Sequence, residues 1–156
     1  MKIALAALVL CPALLAVGCK QKPPPPPPAN PIIGEWACTT PTDKAKAKIG
    51  AVFTADGKST VDITLTANAG GKRVAGKLST TGKWSQKGQT FTLTLGDFAV
   101  AYATTNGEKS SDGTVNSLAR SLLQGKDLAI ETLNETEFAY TTKAGTVTCT
   151  RQDAAP

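Results

Sequence analysis

Chemistry in this chain can start at few places, and the cysteines come first. There are four: Cys11, Cys19, Cys38 and Cys149. A cysteine thiol can be acylated, oxidised to a disulfide or bound to a metal. Histidine is absent from the whole sequence. That removes the commonest general base and the commonest zinc ligand. Serine and threonine are plentiful, but no imidazole is present to activate them as nucleophiles. No metal-ligand spacing and no glycine-rich phosphate loop occurs, so no catalytic residue and no metal ligand is assigned. Glu131, Glu135 and Glu137 gather near one hairpin. Paired carboxylates can move protons, although such a group also reads as a solvated edge. The sequence therefore points away from an enzyme and away from a bound cofactor.

Charge narrows the partners. Lys and Arg number 17 against 12 Asp and Glu, a net +5. The densest positive group is Lys44, Lys46 and Lys48. At a period of two it lines one face of a strand, where it could meet anionic headgroups or polymers or simply face water. No basic stretch is interleaved with aromatics, so nucleic acid is not expected as a partner.

The N-terminus gives an address. Lys2 precedes a run of apolar residues from Ile3 to Val17. The run is too short to span a bilayer comfortably and ends in small residues, as a secretory signal does. Its end, Leu15-Ala16-Val17-Gly18-Cys19, resembles the lipobox of bacterial lipoproteins. The resemblance implies cleavage after Gly18, diacylglycerol on the Cys19 thiol, and an acyl chain such as palmitate on its new amine. Several acyl chains anchor stably where one does not, since each buried methylene contributes about 0.8 kcal/mol. Cys11 follows Leu10, which is not small, and is not expected to take this role. Lys20 follows the lipidated position where inner-membrane proteins of Gram-negative bacteria carry aspartate. In such a cell the resemblance implies an outer-membrane protein facing the periplasm.

The chain then divides as 1–18 signal peptide, 19–31 lipidated cysteine and linker, 32–151 folded domain, and 152–156 tail. The linker holds six consecutive prolines, Pro23 to Pro28. They lack amide donors and have fixed φ, so they favour polyproline II. Residues 20–31 would reach about 35 Å when extended. They read as a stalk, and a proline-recognition ligand is the other reading. Loss of Lys2 with the signal lowers the charge from +5 to +4. Two cysteines remain in the exported domain, Cys38 and Cys149, and they read as one disulfide.

Period-two alternation runs through the domain and predicts eight strands. They span residues 34–39, 46–54, 59–68, 72–85, 90–102, 126–133, 136–142 and 146–151. Ala55-Asp56-Gly57 has the pattern of a type I turn with a G1 bulge. That turn sets Ala51 opposite Val61 and Ile49 opposite Ile63. Val74, Gly76, Leu78, Thr80, Gly82 and Trp84 share an inner face. The apolar parity of the fifth strand switches at Gly96-Asp97, which predicts a bulge. Residues 104–113 read as a loop. Residues 114–124 carry Val115, Leu118, Ala119 and Leu122 at helical spacing, with Asp112 or Thr114 as cap and Gly125 as stop. The fold expected is all-β, an eight-stranded antiparallel up-and-down barrel with one short amphipathic helix. An even strand count makes the first and last strands antiparallel neighbours. If Cys38 pairs with Cys149, Trp36 then lies opposite Arg151.

Gly34-Glu35-Trp36 on the first strand with Arg151 on the last resembles the lipocalin and wider calycin pattern. The resemblance implies a barrel whose closed end is capped by Trp36 with an arginine packed over the indole. Gly82-Lys83-Trp84 repeats the motif. The helix falls before the last three strands and the chain is short, so the likeness is closest to small lipocalin-like domains of bacterial lipoproteins. Two functions stay open. A hollow barrel would bind a small apolar molecule, with Val115, Leu118 and Leu122 on a lid. In the small-side-chain run Ala99, Ala101 and Ala103, that parity would leave room if it faced inward. A solid barrel, with the helix as plug, would be a structural or interaction protein that contacts an envelope protein or polymer, as inhibitor-type lipoproteins do.

Overall fold

Residues 30–41 and 45–152 are described by a computed structural model. The signal peptide, Gly18, Cys19, most of the linker and Lys44 lie outside these residues. The strands are β1 (Gly34–Pro41), β2 (Ala45–Phe53), β3 (Lys58–Ala69), β4 (Lys72–Lys87) and β5 (Thr90–Thr105). A two-residue strand β6 (Glu108–Lys109) and helix α1 (Asp112–Leu123) follow. Then come β7 (Gly125–Leu133), β8 (Glu137–Thr142) and β9 (Gly145–Arg151). Each long strand pairs antiparallel with its sequence neighbours, β5 pairs β4 and β7, and β9 returns to β1. The result is a closed eight-stranded up-and-down barrel, consistent with a lipocalin-like fold; β6 only extends the edge of β5.

Alternation decides which way each strand faces. In β2, Ala47, Ile49, Ala51 and Phe53 are buried, and Lys46 and Lys48 are exposed. In β3, Val61, Ile63, Leu65 and Ala67 point in while Thr60, Asp62 and Thr64 point out. The hairpin register is the expected one, Ala51 opposite Val61 and Ile49 opposite Ile63. Gly57 holds φ +77°, the left-handed geometry that this turn needs. Lys58 and then Thr54 bind the Asp56 carboxyl and hold it down at about 2.

The bulge expected at Gly96-Asp97 is present, since the register shifts between Thr80 opposite Phe98 and Gly82 opposite Leu95. Two glycines make it possible. A Cβ at Gly82 would stand 2.4 Å from the Thr94 carbonyl oxygen, and one at Gly96 would stand 2.7 Å from that of Thr81. A second shift lies between Lys77 opposite Tyr102 and Leu78 opposite Val100. It corrects the parity of the alanine run. Ala99 and Ala101 face out, and only Ala103 is buried. The expected 104–113 loop is also shorter, because β5 runs to Thr105 and β6 pairs back on it.

The helix begins at Asp112, not Thr114, and Ser111 is its cap residue with no side-chain cap hydrogen bond. Gln124 closes it, and Gly125 is the first residue of β7 rather than a stop. The last three strands and the disulfide fall as expected: Cys38 is bonded to Cys149 across the β1–β9 ladder. They stand 111 positions apart in sequence, and the chain-entropy model assigns the cross-link about 4–5 kcal/mol.

The interior is sorted by size. At the end where β1 begins, Trp36, Phe53, Trp84, Phe91, Phe138 and Tyr140 form one connected ring cluster. Phe91 is its centre, 5.1 Å from Phe138 and 4.9 Å from Tyr140 between ring centroids. Ile63, Leu65, Val74 and Leu78 share the buried core with Val115, Ala119 and Leu122 of the helix. Each fully buried large apolar side chain contributes about 1.5–3 kcal/mol.

Burial pushes the Tyr140 hydroxyl pKa well above its ordinary 10.0. The folded form therefore keeps its proton where the unfolded form loses it. The associated stability is complete below pH 10 and falls as pH rises past that value, by up to about 1.4 kcal/mol per unit. Urea unfolding at pH 8, 10 and 11 is expected to show this loss. Tyr140→Phe should flatten it, and an unchanged pH slope in the variant would refute the assignment.

Candidate functional site

The barrel has two ends, each organised by an arginine. At the closed end the chain enters through Asn30, whose side-chain carbonyl accepts from Ile32 N–H at 2.9 Å. Ile32 is fully buried, and its carbonyl accepts from Trp36 Nε1 at 2.8 Å. Trp36 lies opposite Arg151. The Arg151 guanidinium sits 4.4 Å from the indole centroid. It donates from Nη1 to the Ile33 carbonyl at 2.9 Å, and also to the Pro31 and Glu135 carbonyls. One planar cation thus ties the entering chain, the β7–β8 loop and the floor of the barrel together. A cation over an indole contributes about 0.5–2 kcal/mol.

Trp84 does a parallel task. Its Nε1 donates to the Thr54 carbonyl at 3.1 Å, and its backbone N–H donates to Gly57 at 2.8 Å. The second Gly-x-Trp therefore builds the same floor from β4.

At the far end the wall is incomplete. β7 reaches β5 only as far as Leu93 opposite Gly125. Helix α1 fills the gap. Val115 and Ala119 are fully buried, with Leu122 and Leu123 nearly so, and Leu118 is partly buried against them. Val115 packs onto Gly76. Arg120, which the sequence did not single out, replaces the missing strand. It donates to the Leu95 carbonyl at 2.9 Å and the Gly96 carbonyl at 2.7 Å, and lies 5.1 Å from the Phe98 ring centroid. Gln124 Oε1 accepts from Leu95 N–H at 3.3 Å and from Arg120 Nη1 at 3.1 Å. The signal available was the bulge at Gly96, which leaves carbonyls for something other than a strand to satisfy.

The side chains considered for chemistry are not brought together. Glu131, Glu135 and Glu137 are all exposed, and Glu131 accepts a hydrogen bond from Thr141 at 3.0 Å. Among the described residues no group of three or more Cys, Asp or Glu could hold a metal ion.

Among the described residues, concavities bordered by exposed side chains lie against the outer wall. One of about 500 Å³ covers Ala37, Gly50 and Val52 between Glu35 and Lys77. One of about 380 Å³ lies among Thr39, Lys46, Lys48, Thr64 and Thr66. One of about 460 Å³ follows the seam beside the helix C-terminus, with Leu93, Gln124, Lys126, Leu128 and Lys143. No protein-family model matches the chain, and no curated protein matches it in sequence.

Lysine at position 151 would keep the charge and lose the planar fork. Arg151→Lys is expected to lower the unfolding free energy by about 2 kcal/mol, from lost charge-assisted hydrogen bonds and ring contact. Urea titration followed by tryptophan fluorescence reads it. A change under about 0.5 kcal/mol, the size of an ordinary surface substitution, would show that the fork is not what holds the closed end.

Proposed function

We propose that this chain is a lipid-anchored protein of the bacterial cell envelope whose barrel is solid and acts through its outer surface. Cys19 carries diacylglycerol and an N-acyl chain after cleavage behind Gly18. Residues 20–31 hold the barrel off the bilayer. In a Gram-negative cell the membrane is the outer one and the barrel faces the periplasm. The barrel is non-catalytic and meets an envelope protein or polymer.

The observation that carries the solid-core reading is the interior itself. Six aromatic rings occupy one end, and the buried face of α1 occupies the other. An eight-stranded barrel is just wide enough for side chains to fill it. Val115, Leu118 and Leu122 then belong to a plug, not a lid. The seam beside α1 favours a second reading. Leu93 and Leu128 border that 460 Å³ space, and a small apolar molecule would enter there.

Native mass spectrometry of the full chain, purified from its own host, separates the two. The solid barrel is expected at the mass of protein plus anchor. A retained apolar small molecule would reverse the order of the readings.

The anchor has its own test. Cys19→Ala is expected to abolish fatty-acid labelling and leave the precursor uncut. Normal labelling or normal membrane retention of the variant would overturn the lipoprotein assignment.

A further inference from the structure

The outer face of β2, β3 and β4 carries a feature that packing does not explain. Lys48 lies opposite Thr64, and Thr64 lies opposite Lys77, so the three form one row across the strands. Lys46 lies opposite Thr66 in the next row, and Arg73 lies opposite Asn68 beyond it. Two basic columns therefore flank the hydroxyls of Thr64 and Thr66, and the one acid of that column, Asp62, lies one row beyond, opposite Gly50 and Ser79. Neighbouring strands are about 4.8 Å apart, so the columns on β2 and β4 stand about 10 Å from each other. All four cations are exposed. None of them makes an ion pair among the described residues, where the two pairs found are Lys58–Asp56 and Arg120–Asp97. Two concave spaces meet on this face: one of about 500 Å³ touches Lys48, Asp62, Thr64 and Lys77, and one of about 380 Å³ touches Lys46, Lys48, Thr64 and Thr66 on the β1 side.

We infer that this trough binds an extended phosphate-bearing polymer of the envelope. Resting on the surface-acting reading above, it names the partner's chemistry. Lysines supply compact positive charge on both sides, and threonine hydroxyls donate to phosphate oxygens from below. Two features favour a polymer over a bilayer surface. The basic rows lie on the flank of the barrel, across β2, β3 and β4, rather than on its rim. It also opens toward the end where β2 begins, opposite the end where the chain enters through Asn30 and Ile32. A nucleic acid strand is disfavoured because one aromatic side chain alone, Tyr102 opposite Lys77, adjoins the row, too few for successive bases to stack on.

The test uses the full chain in detergent micelles with long-chain inorganic polyphosphate as the probe, titrated at several salt concentrations. The wild type is expected to bind, with affinity falling as salt rises. The triple variant Lys46→Gln, Lys48→Gln, Lys77→Gln should bind at least tenfold more weakly, and its log–log salt slope should drop by about two. A control with the same loss of charge elsewhere, Lys83→Gln, Lys87→Gln, Lys126→Gln, should stay within twofold of wild type. Unchanged thermal midpoints show that both variants fold. Equal losses in the two variants would reduce the effect to net charge and overturn the site. So would an absence of polyphosphate binding, or a trough variant that releases phosphatidylglycerol vesicles while still holding polyphosphate. Failure here with a bare native mass removes the polymer alone. Polymer binding with a retained apolar molecule removes the solid-core reading alone.

Discussion

The β1–β9 seam is the constraint on which the barrel depends. Every other strand pairing joins nearer neighbours in sequence, but this one joins Cys38 to Cys149, 111 positions apart. Until it forms, β1 and β9 are open edges with unpaired amides. The disulfide removes entropy from the open chain, by about 4–5 kcal/mol in the chain-entropy model. That is comparable to the cost of closing so long a loop. A cross-link alone leaves the neighbouring pairs free to twist apart. Trp36 and Arg151, two residues along the same ladder, hold them. A slip of one residue would turn Trp36 out to solvent and strand the guanidinium away from the Ile33 and Pro31 carbonyls.

The far end meets the same difficulty without a strand to solve it. β5 bends at its bulges and leaves β7 after Leu93, so its backbone needs other partners. Arg120 supplies them with the geometry that Arg151 uses: a planar fork donating to carbonyls and a face against an aromatic ring. This makes α1 part of the wall. A helix that completes backbone hydrogen bonding cannot swing open without exposing those carbonyls, so its apolar face serves as filling.

The strands were readable because one face of each is buried and the other is wet. The β2–β3 register followed from a three-residue turn, the seam from two cysteines in one exported domain, and the first bulge from the parity switch at Gly96-Asp97. The second bulge was not readable. Ala99, Ala101 and Ala103 are equally apolar on both faces, so a shift of parity leaves no mark in the sequence. The role of Arg120 was hidden for another reason: its partners are main-chain carbonyls 24 and 25 residues earlier. The trough was half visible. Lys46 and Lys48 share a strand and show as a period of two. Lys77 and Arg73 join them only once β3 has been laid between. Cys19, the residue with the most definite chemistry in the sequence, lies outside the described residues, and the barrel neither adds to nor subtracts from that assignment.

On the solid-core reading proposed above, the question of function moves to the outer positions, which the fold leaves almost free. Any polar residue satisfies an outward position on β2 or β4. A surface chosen for stability alone would mix its signs, as the Asp56–Lys58 turn and the Arg120–Asp97 contact do. Like charges on adjacent strands repel, and opposite charges in a cross-strand pair contribute about 0.2–1 kcal/mol. The β2–β4 face gives up that contribution. Four cations stand beside Thr64 and Thr66 against one acid, Asp62, which lies one row beyond Lys48 and Lys77, opposite Gly50 and Ser79. The repulsion is small enough for a cross-linked barrel to tolerate, and the polyanion inferred above would relieve it by lying between the columns. The seam that closes the barrel is thus also what allows one face of it to stay electrostatically unbalanced.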